Sequence, residues 1–269
     1  MKARYTLECV TFELSRRCNM RCSHCLRGEA EDVDMSGRVL DAAFERLSGY
    51  DVDQIYIGGG EPTVTAKNMC NFAVKMRAHL TGNTTLFLVT NGKAMPERFI
   101  DAVSLIGSRF DVVGMMSHDE WHDRLNYKGV AKRFHKLFDR SGISVKLREE
   151  DIDAADVACE AYAHNLGIKR LLAMGRGYTV LGAYHAVTID RYYFEAYGDS
   201  SDVEVGENFY VDAYGTVWPS CDLSYDFMSR HPEYSIGSVL DPKFDWVKAA
   251  RKFNRRFKDN FPLRLKEFM

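Results

Sequence analysis

Several things are missing from this sequence, and each absence narrows what the chain can be. No run approaches 18 consecutive apolar residues, and the opening MKARYTLECV lacks the apolar stretch of a secretory signal. A membrane-spanning helix is therefore not expected, and the chain reads as a soluble cytoplasmic protein. Neither sign of charge dominates: 36 Lys and Arg stand against 38 Asp and Glu, a formal net charge of −2. That balance gives no ground for a general nucleic-acid binder. No internal repeat or low-complexity segment is present. Paired cysteine sets are also missing. The seven cysteines are an odd number, in a chain of 269 residues too long to need disulfide staples. Clustered thiols in a reducing compartment point to metal binding or catalysis rather than to cross-links.

What is present is a hydrophobic fraction of 46%, ample for one large core. Short β-branched runs alternate with amphipathic stretches through the first two-thirds of the chain. Strands are expected at 7–15, 54–58, 84–89, 110–116, 143–148 and 168–174. Helices are expected at 35–50 with Ser36 as N-cap, at 66–80, at 96–107 with Pro96 near its start, at 128–142 and at 153–166. These make about six βα units with apolar strands suited to a parallel sheet. Eight such units close a barrel and six make a partial one, with the active site at the C-terminal strand ends. The fold class is thus α/β, a partial (β/α)6 barrel over residues 1–174. The extension over 175–269 holds a short β-hairpin at 209–219, turning at Asp212–Gly215, and an amphipathic helix. That helix starts from Phe244 and carries a basic outer face of Lys248, Arg251, Lys252, Arg255 and Arg256. Cys9, Cys70 and Cys159 sit in apolar surroundings and read as core.

The chemistry gathers after the first strand. Cys18, Cys22 and Cys25 have the spacing C-x3-C-x2-C, for which composition alone gives about 0.005 chance occurrences. Three thiolates on one loop can hold three corners of a [4Fe–4S] cubane and leave the fourth iron open. An open coordination position is what a catalytic metal centre needs. A structural zinc site with Cys9 or His24 as fourth ligand is the alternative, although no second ligand pair follows.

The stretch RRCNMRCSHC resembles the cluster loop of the radical S-adenosylmethionine (radical SAM) superfamily. Gly58-Gly59-Gly60-Glu61-Pro62, after the next strand, is similar to that superfamily's GGE motif. Thr90-Asn91-Gly92 matches the TNG often found at the third strand end. Ser117, in Ser117-His118-Asp119-Glu120, matches the Ser of an S-x-D-G segment whose final Gly is missing here. The resemblance covers residues 7 to about 174. It implies one [4Fe–4S] cluster on Cys18, Cys22 and Cys25, and SAM held by Gly58, Gly59, Gly60, Glu61, Asn91, Ser117 and Arg148. Arg148 would hold a carboxylate or ribose; a salt-bridged surface arginine is the alternative reading. The resemblance further implies one-electron reduction by a flavodoxin- or ferredoxin-type donor. The product would be a 5′-deoxyadenosyl radical that abstracts hydrogen from a substrate.

Tyr210-Val-Asp-Ala-Tyr-Gly215-Thr-Val-Trp-Pro-Ser-Cys221 resembles the opening of a SPASM or twitch extension, frequent in enzymes that modify peptides. Cys221 is the only cysteine beyond Cys159, so a second cluster is not expected. Cys221 is instead a candidate hydrogen-atom donor to a substrate radical, with a packing role as the alternative. The leading reading is a radical SAM enzyme acting on a peptide or protein side chain. A small-molecule substrate (nucleotide, sugar or amino acid) and a glycyl-radical activase are the alternatives. A metal site at His118, His122 and Asp123, and a non-catalytic SAM-binding barrel, are weaker ones.

Overall fold

The first strand, β1 (Thr6–Ser15), is buried on both faces over most of its length, with Thr11, Glu13 and Ser15 among its buried residues. It runs parallel to β2 (Asp51–Gly59), which pairs in parallel with β3 (Thr85–Thr90) and that with β4 (Asp111–Met116). The computed structural model describes residues 5–23, 25–80, 84–94, 96–116, 171–172, 184–185, 187–193 and 208–265. The expected elements at 128–142, 143–148 and 153–166 lie outside them.

Three helices link these strands: α1 (Gly37–Leu47), α2 (Ala66–His79) and α3 (Glu97–Gly107). Ser36 caps α1 as expected, its side chain accepting from the Val39 amide, while Pro96 precedes the first turn of α3. One face of the sheet packs on these helices. Phe12 of β1 stacks on Phe44 of α1, with centroids 5.3 Å apart, and meets Phe72 of α2 edge-on at 5.3 Å. Asn68 of α2 donates to the Leu14 and Met35 carbonyls at 3.1 and 2.8 Å, anchoring the end of β1.

Side chains alternate across a strand, so Cys9, Thr11 and Glu13 face the other side of the sheet from Phe12. The register sets Tyr56 of β2 and Tyr210 beside Thr11, and Tyr56 stacks on Phe87 of β3 at 4.5 Å.

Two short pairs follow: β5 (Leu171–Leu172) with β6 (Tyr184–His185), parallel, and β7 (Val187–Ile189) with the last strand, antiparallel. The expected hairpin is β8 (Phe209–Val211) and β9 (Thr216–Trp218), with Gly215 at φ +86° in its turn. It does not stand off as a separate cap. β8 pairs in parallel with β1, so the sheet has the order β10-β9-β8-β1-β2-β3-β4, where β10 is Gly237–Ser238. The architecture is the expected α/β one with a mostly parallel sheet, and among the described residues it is open rather than a closed barrel.

Two helices complete the chain: α4 (Tyr225–Arg230) and α5 (Trp246–Arg256), followed by β11 (Leu263–Leu265). The amphipathic α5 buries Trp246, Val247, Ala250 and Phe253, with Trp246 edge-on to Phe209, and exposes its five basic residues. Asp245 caps it by accepting from the Lys248 amide at 2.8 Å. Cys9 is core as expected, whereas Cys70 on α2 is only half-buried, its thiol 3.5 Å from the Arg98 carbonyl.

The aromatic triad makes a direct prediction. Phe44→Ala removes a fully buried ring between two others and should cost about 3–5 kcal/mol in urea denaturation. Val74→Ala, on the exposed side of α2, should stay within about 0.5 kcal/mol.

Candidate cluster and cofactor site

The three cysteines lie on the loop that leaves the C-terminal end of β1. All three are half-buried, and the six described cysteines form no disulfide. Turns shape the loop: the Cys25 amide donates to the Cys22 carbonyl at 3.2 Å, and the Gly28 amide to the Cys25 carbonyl at 3.2 Å, with Gly28 at φ +89°. Burial pushes the Cys18 thiol up, and the nearby Glu61, Cys25 and Cys22 add to this, while the Met20 amide, 3.4 Å from its sulfur, works the other way. The Cys18 sulfur therefore lies near the other two. Soft thiolates crowded at a strand end are a donor set for iron–sulfur or zinc. Among the described residues no three Cys, His, Asp or Glu side chains converge on one ion. A cubane does not ask them to, since each thiolate takes a different iron. His24, the fourth ligand of the zinc alternative, lies outside the described residues.

The glycine motif is packed against this loop. The Gly60 amide donates to the Ser15 carbonyl at 2.9 Å and the Glu61 amide to the Arg17 carbonyl at 2.8 Å. A methyl group on Gly60 would fall on the Arg17 backbone, and one on Gly59, at φ +106°, would come 2.6 Å from the Ser15 carbonyl oxygen. These glycines are needed to let β2 and the cysteine loop touch.

Glu61 is buried, and its carboxylate is spent on the protein. Oε1 accepts from the Thr63 amide at 3.1 Å, the Thr63 hydroxyl at 2.6 Å and the Thr90 hydroxyl at 2.5 Å; Oε2 accepts from the Asn91 amide at 2.8 Å. Burial pushes this carboxyl up and the donors pull it back. Its side chain thus ties the ends of β2 and β3 together. Asn91 reaches back to the loop, its Nδ2 donating to Asn19 Oδ1 at 2.8 Å and lying 4.0 Å from Cys18 Sγ. Gly58 to Glu61, Asn91 and the cysteines are therefore one assembly. Ser117 and Arg148 lie outside the described residues.

A second assembly was not legible in the sequence. Glu13, fully buried, accepts from Arg16 Nε at 3.0 Å, the Tyr210 hydroxyl at 2.6 Å and the Ala213 amide at 3.0 Å. Arg16 Nη1 lies 3.1 Å from both Glu31 oxygens and Nη2 lies 3.8 Å from Asp212. Its guanidinium sits between the rings of Tyr214 and Tyr225, at 4.8 and 4.3 Å. Asp212 also accepts from Trp218 Nε1 at 2.9 Å. Past the cysteines, Arg27 donates to the Leu223 carbonyl at 2.6 Å, and the Tyr225 amide donates to the Arg27 carbonyl at 3.1 Å. The cysteine loop is thus held at both ends by residues 210–225. Cys221 is half-buried, its thiol 3.7 Å from Asp222 Oδ1 and near enough to Cys9 and Arg27 to interact electrostatically.

Comparison with known proteins agrees with this geometry. Residues 7–133 match the family described as a 4Fe–4S single cluster domain, Fer4_12. The chain is 26% identical over 192 residues to the mycofactocin maturase MftC of Mycolicibacterium smegmatis, covering 66% of this chain and 48% of that protein. It is 31% identical over 149 residues to the pre-heme d1 synthase of Dinoroseobacter shibae, covering 52% of this chain and 35% of that one. The match spans about half or less of these relatives' lengths. The fold is similar to that of anSMEcpe with bound AdoMet and Cp18Cys peptide, with a TM-score of 0.54 at 14% identity, over 94% of this chain and 82% of that chain. Fold and site define an α/β protein that presents an iron–sulfur cluster loop at the ends of parallel strands. In this region the chain resembles enzymes of the radical SAM superfamily.

The contact between Gly60 and Arg17 is testable. Gly60→Ala forces the cysteine loop off β2, so reconstituted protein should lose most of its iron while far-UV circular dichroism stays that of wild type. Full iron loading of this variant would show that the contact is dispensable.

Proposed function

We propose that the chain uses a [4Fe–4S] cluster on Cys18, Cys22 and Cys25 to cleave SAM reductively, and that its substrate is a peptide or protein side chain. The observation that carries the reading is the joint assembly of the cysteine loop with the GGE and TNG motifs through Gly60, Glu61 and Asn91. A cluster held by Cys18, Cys22 and Cys25 would supply the electron for SAM cleavage, and a flavodoxin- or ferredoxin-type protein is the expected donor. The chain's own residues orient and shield. The strand-end backbone at Gly58–Gly60 receives the methionyl amine, and Asn91 fixes the loop from the β3 end. Ser117 and Arg148 are assigned to SAM from the family resemblance. Glu61 acts as a positioning residue, because its carboxylate is already fully hydrogen-bonded.

The peptide assignment is supported by the fold of anSMEcpe, which was solved with a peptide bound, and by the SPASM-like segment around residues 210–221. A small-molecule substrate is the second reading, favoured by the stretch of 31% identity to a pre-heme d1 synthase. The division at 174/175 between a catalytic core and an extension belongs to the same proposal. So does the role of Cys221 as hydrogen-atom donor, for which its place beside Arg27 and Cys9 is the support.

Anaerobic reconstitution should give about four irons and four sulfides per chain, with methionine and 5′-deoxyadenosine formed from SAM under dithionite. Cys18, Cys22 and Cys25 replaced together by Ala should give neither. About eight irons per chain, or SAM cleavage by the triple variant, would refute the assignment.

Cys221→Ala, assayed in deuterated water, tests the donor role. A donor predicts continued SAM cleavage with loss of the deuterium-labelled product, whereas normal product formation would leave Cys221 a packing residue.

A further inference from the structure

Arg27 stands apart from the other buried charges. Glu13, Arg16 and Asp212 compensate one another, at 3.0 Å for Glu13–Arg16 and 3.8 Å for Arg16–Asp212. Arg27 is only 8% exposed and, among the described residues, has no carboxylate within ion-pair distance. A guanidinium carries five N–H donors. The Leu223 carbonyl takes one of them, and the rest meet no protein acceptor among the described residues. The ring of Tyr210, 4.4 Å below the guanidinium, fixes its plane and leaves the in-plane donors open. The hydroxyl of Tyr225, whose own amide bonds the Arg27 carbonyl, is buried beside Glu13. Glu13 already accepts from Tyr210, Arg16 and Ala213 and makes no ion pair with Arg27. Buried polar groups left like this are costly unless a ligand completes them. The planar fork of an arginine matches a carboxylate or phosphate.

We propose that Arg27 and the Tyr225 hydroxyl form a subsite for an oxyanion of the substrate, a carboxylate or phosphate, on the sheet face that carries Glu13 and Tyr210. The subsite rests on the radical SAM reading for its purpose, and it would set the substrate beside Cys221. It narrows the substrate to one with an acidic group near the reacting carbon. The methionyl carboxylate of SAM is the other source of the same chemistry.

Cluster-loaded protein titrated with glutarate or inorganic phosphate, against chloride at matched ionic strength, separates these cases. The rise of Tm with probe concentration reads binding. At least one probe should stabilise wild type saturably, with affinity reduced about ten-fold or more in Arg27→Gln and a few-fold in Tyr225→Phe. Tyr225→Phe is the gentler variant: it keeps the ring and removes only the hydroxyl, so the Tm without probe should fall little. Equal probe responses in all three proteins, or none in wild type, would overturn the subsite. SAM affinity is read on the same samples. A loss of SAM affinity in both variants alongside the loss of probe affinity would overturn the substrate assignment and give the oxyanion to SAM. Failure of wild type to bind SAM would strike the radical SAM reading and leave the probe comparison standing.

Discussion

The geometry of the cluster loop depends on the buried guanidinium of Arg16. Two residues before Cys18, it meets Glu13 of β1, Glu31 of the loop and Asp212 of the hairpin, and it is sandwiched by two tyrosine rings. A buried ion pair is weak as a source of net stability, but removing one partner is strongly destabilising because the other charge is left without compensation. Such an arrangement fixes geometry more than it adds free energy. Here it fixes the direction in which the chain leaves β1, and with it the place of the three thiols.

That constraint joins distant parts of the chain. Glu13 and Ala213 are 200 residues apart, yet they share a 3.0 Å hydrogen bond. The hairpin of β8 and β9 therefore works as a wall of the cluster site rather than as an appendage. On the other side of the loop, Gly60 and Glu61 hold Ser15 and Arg17 through the backbone, and Asn91 holds Asn19. The loop is clamped from β2, β3 and the hairpin at once, so the site is preorganised by the protein.

Much of this was legible in the sequence, for local reasons. The strands β1 to β4 and helices α1 to α3 follow from hydrophobic period and caps such as Ser36, and the cysteine spacing is a local signal. The parallel pairing of Val10–Phe12 with Phe209–Val211 was not legible, because nothing local encodes a partner so far along the chain. The buried charges were missed for the same reason. Glu13 looks like an ordinary polar residue on a strand until Tyr210 and Ala213 arrive, and Arg27 looks like a solvated loop residue. No local signal marked Glu13 as the buried one, since β1 also carries Glu8 and Thr11. Glu61 shows the reverse case: its motif was legible, but the use of its carboxylate was not. A family motif marks position, while the hydrogen bonds that spend a side chain are set by the fold.

The central claim is that the cluster loop presents an open iron to SAM. Electron paramagnetic resonance of the dithionite-reduced, reconstituted protein, recorded with and without SAM, tests it most directly. The account predicts one reduced [4Fe–4S] signal whose g-values change when SAM is added, because the ligand joins the iron that no cysteine holds. A full cluster whose signal is the same with saturating SAM would contradict it.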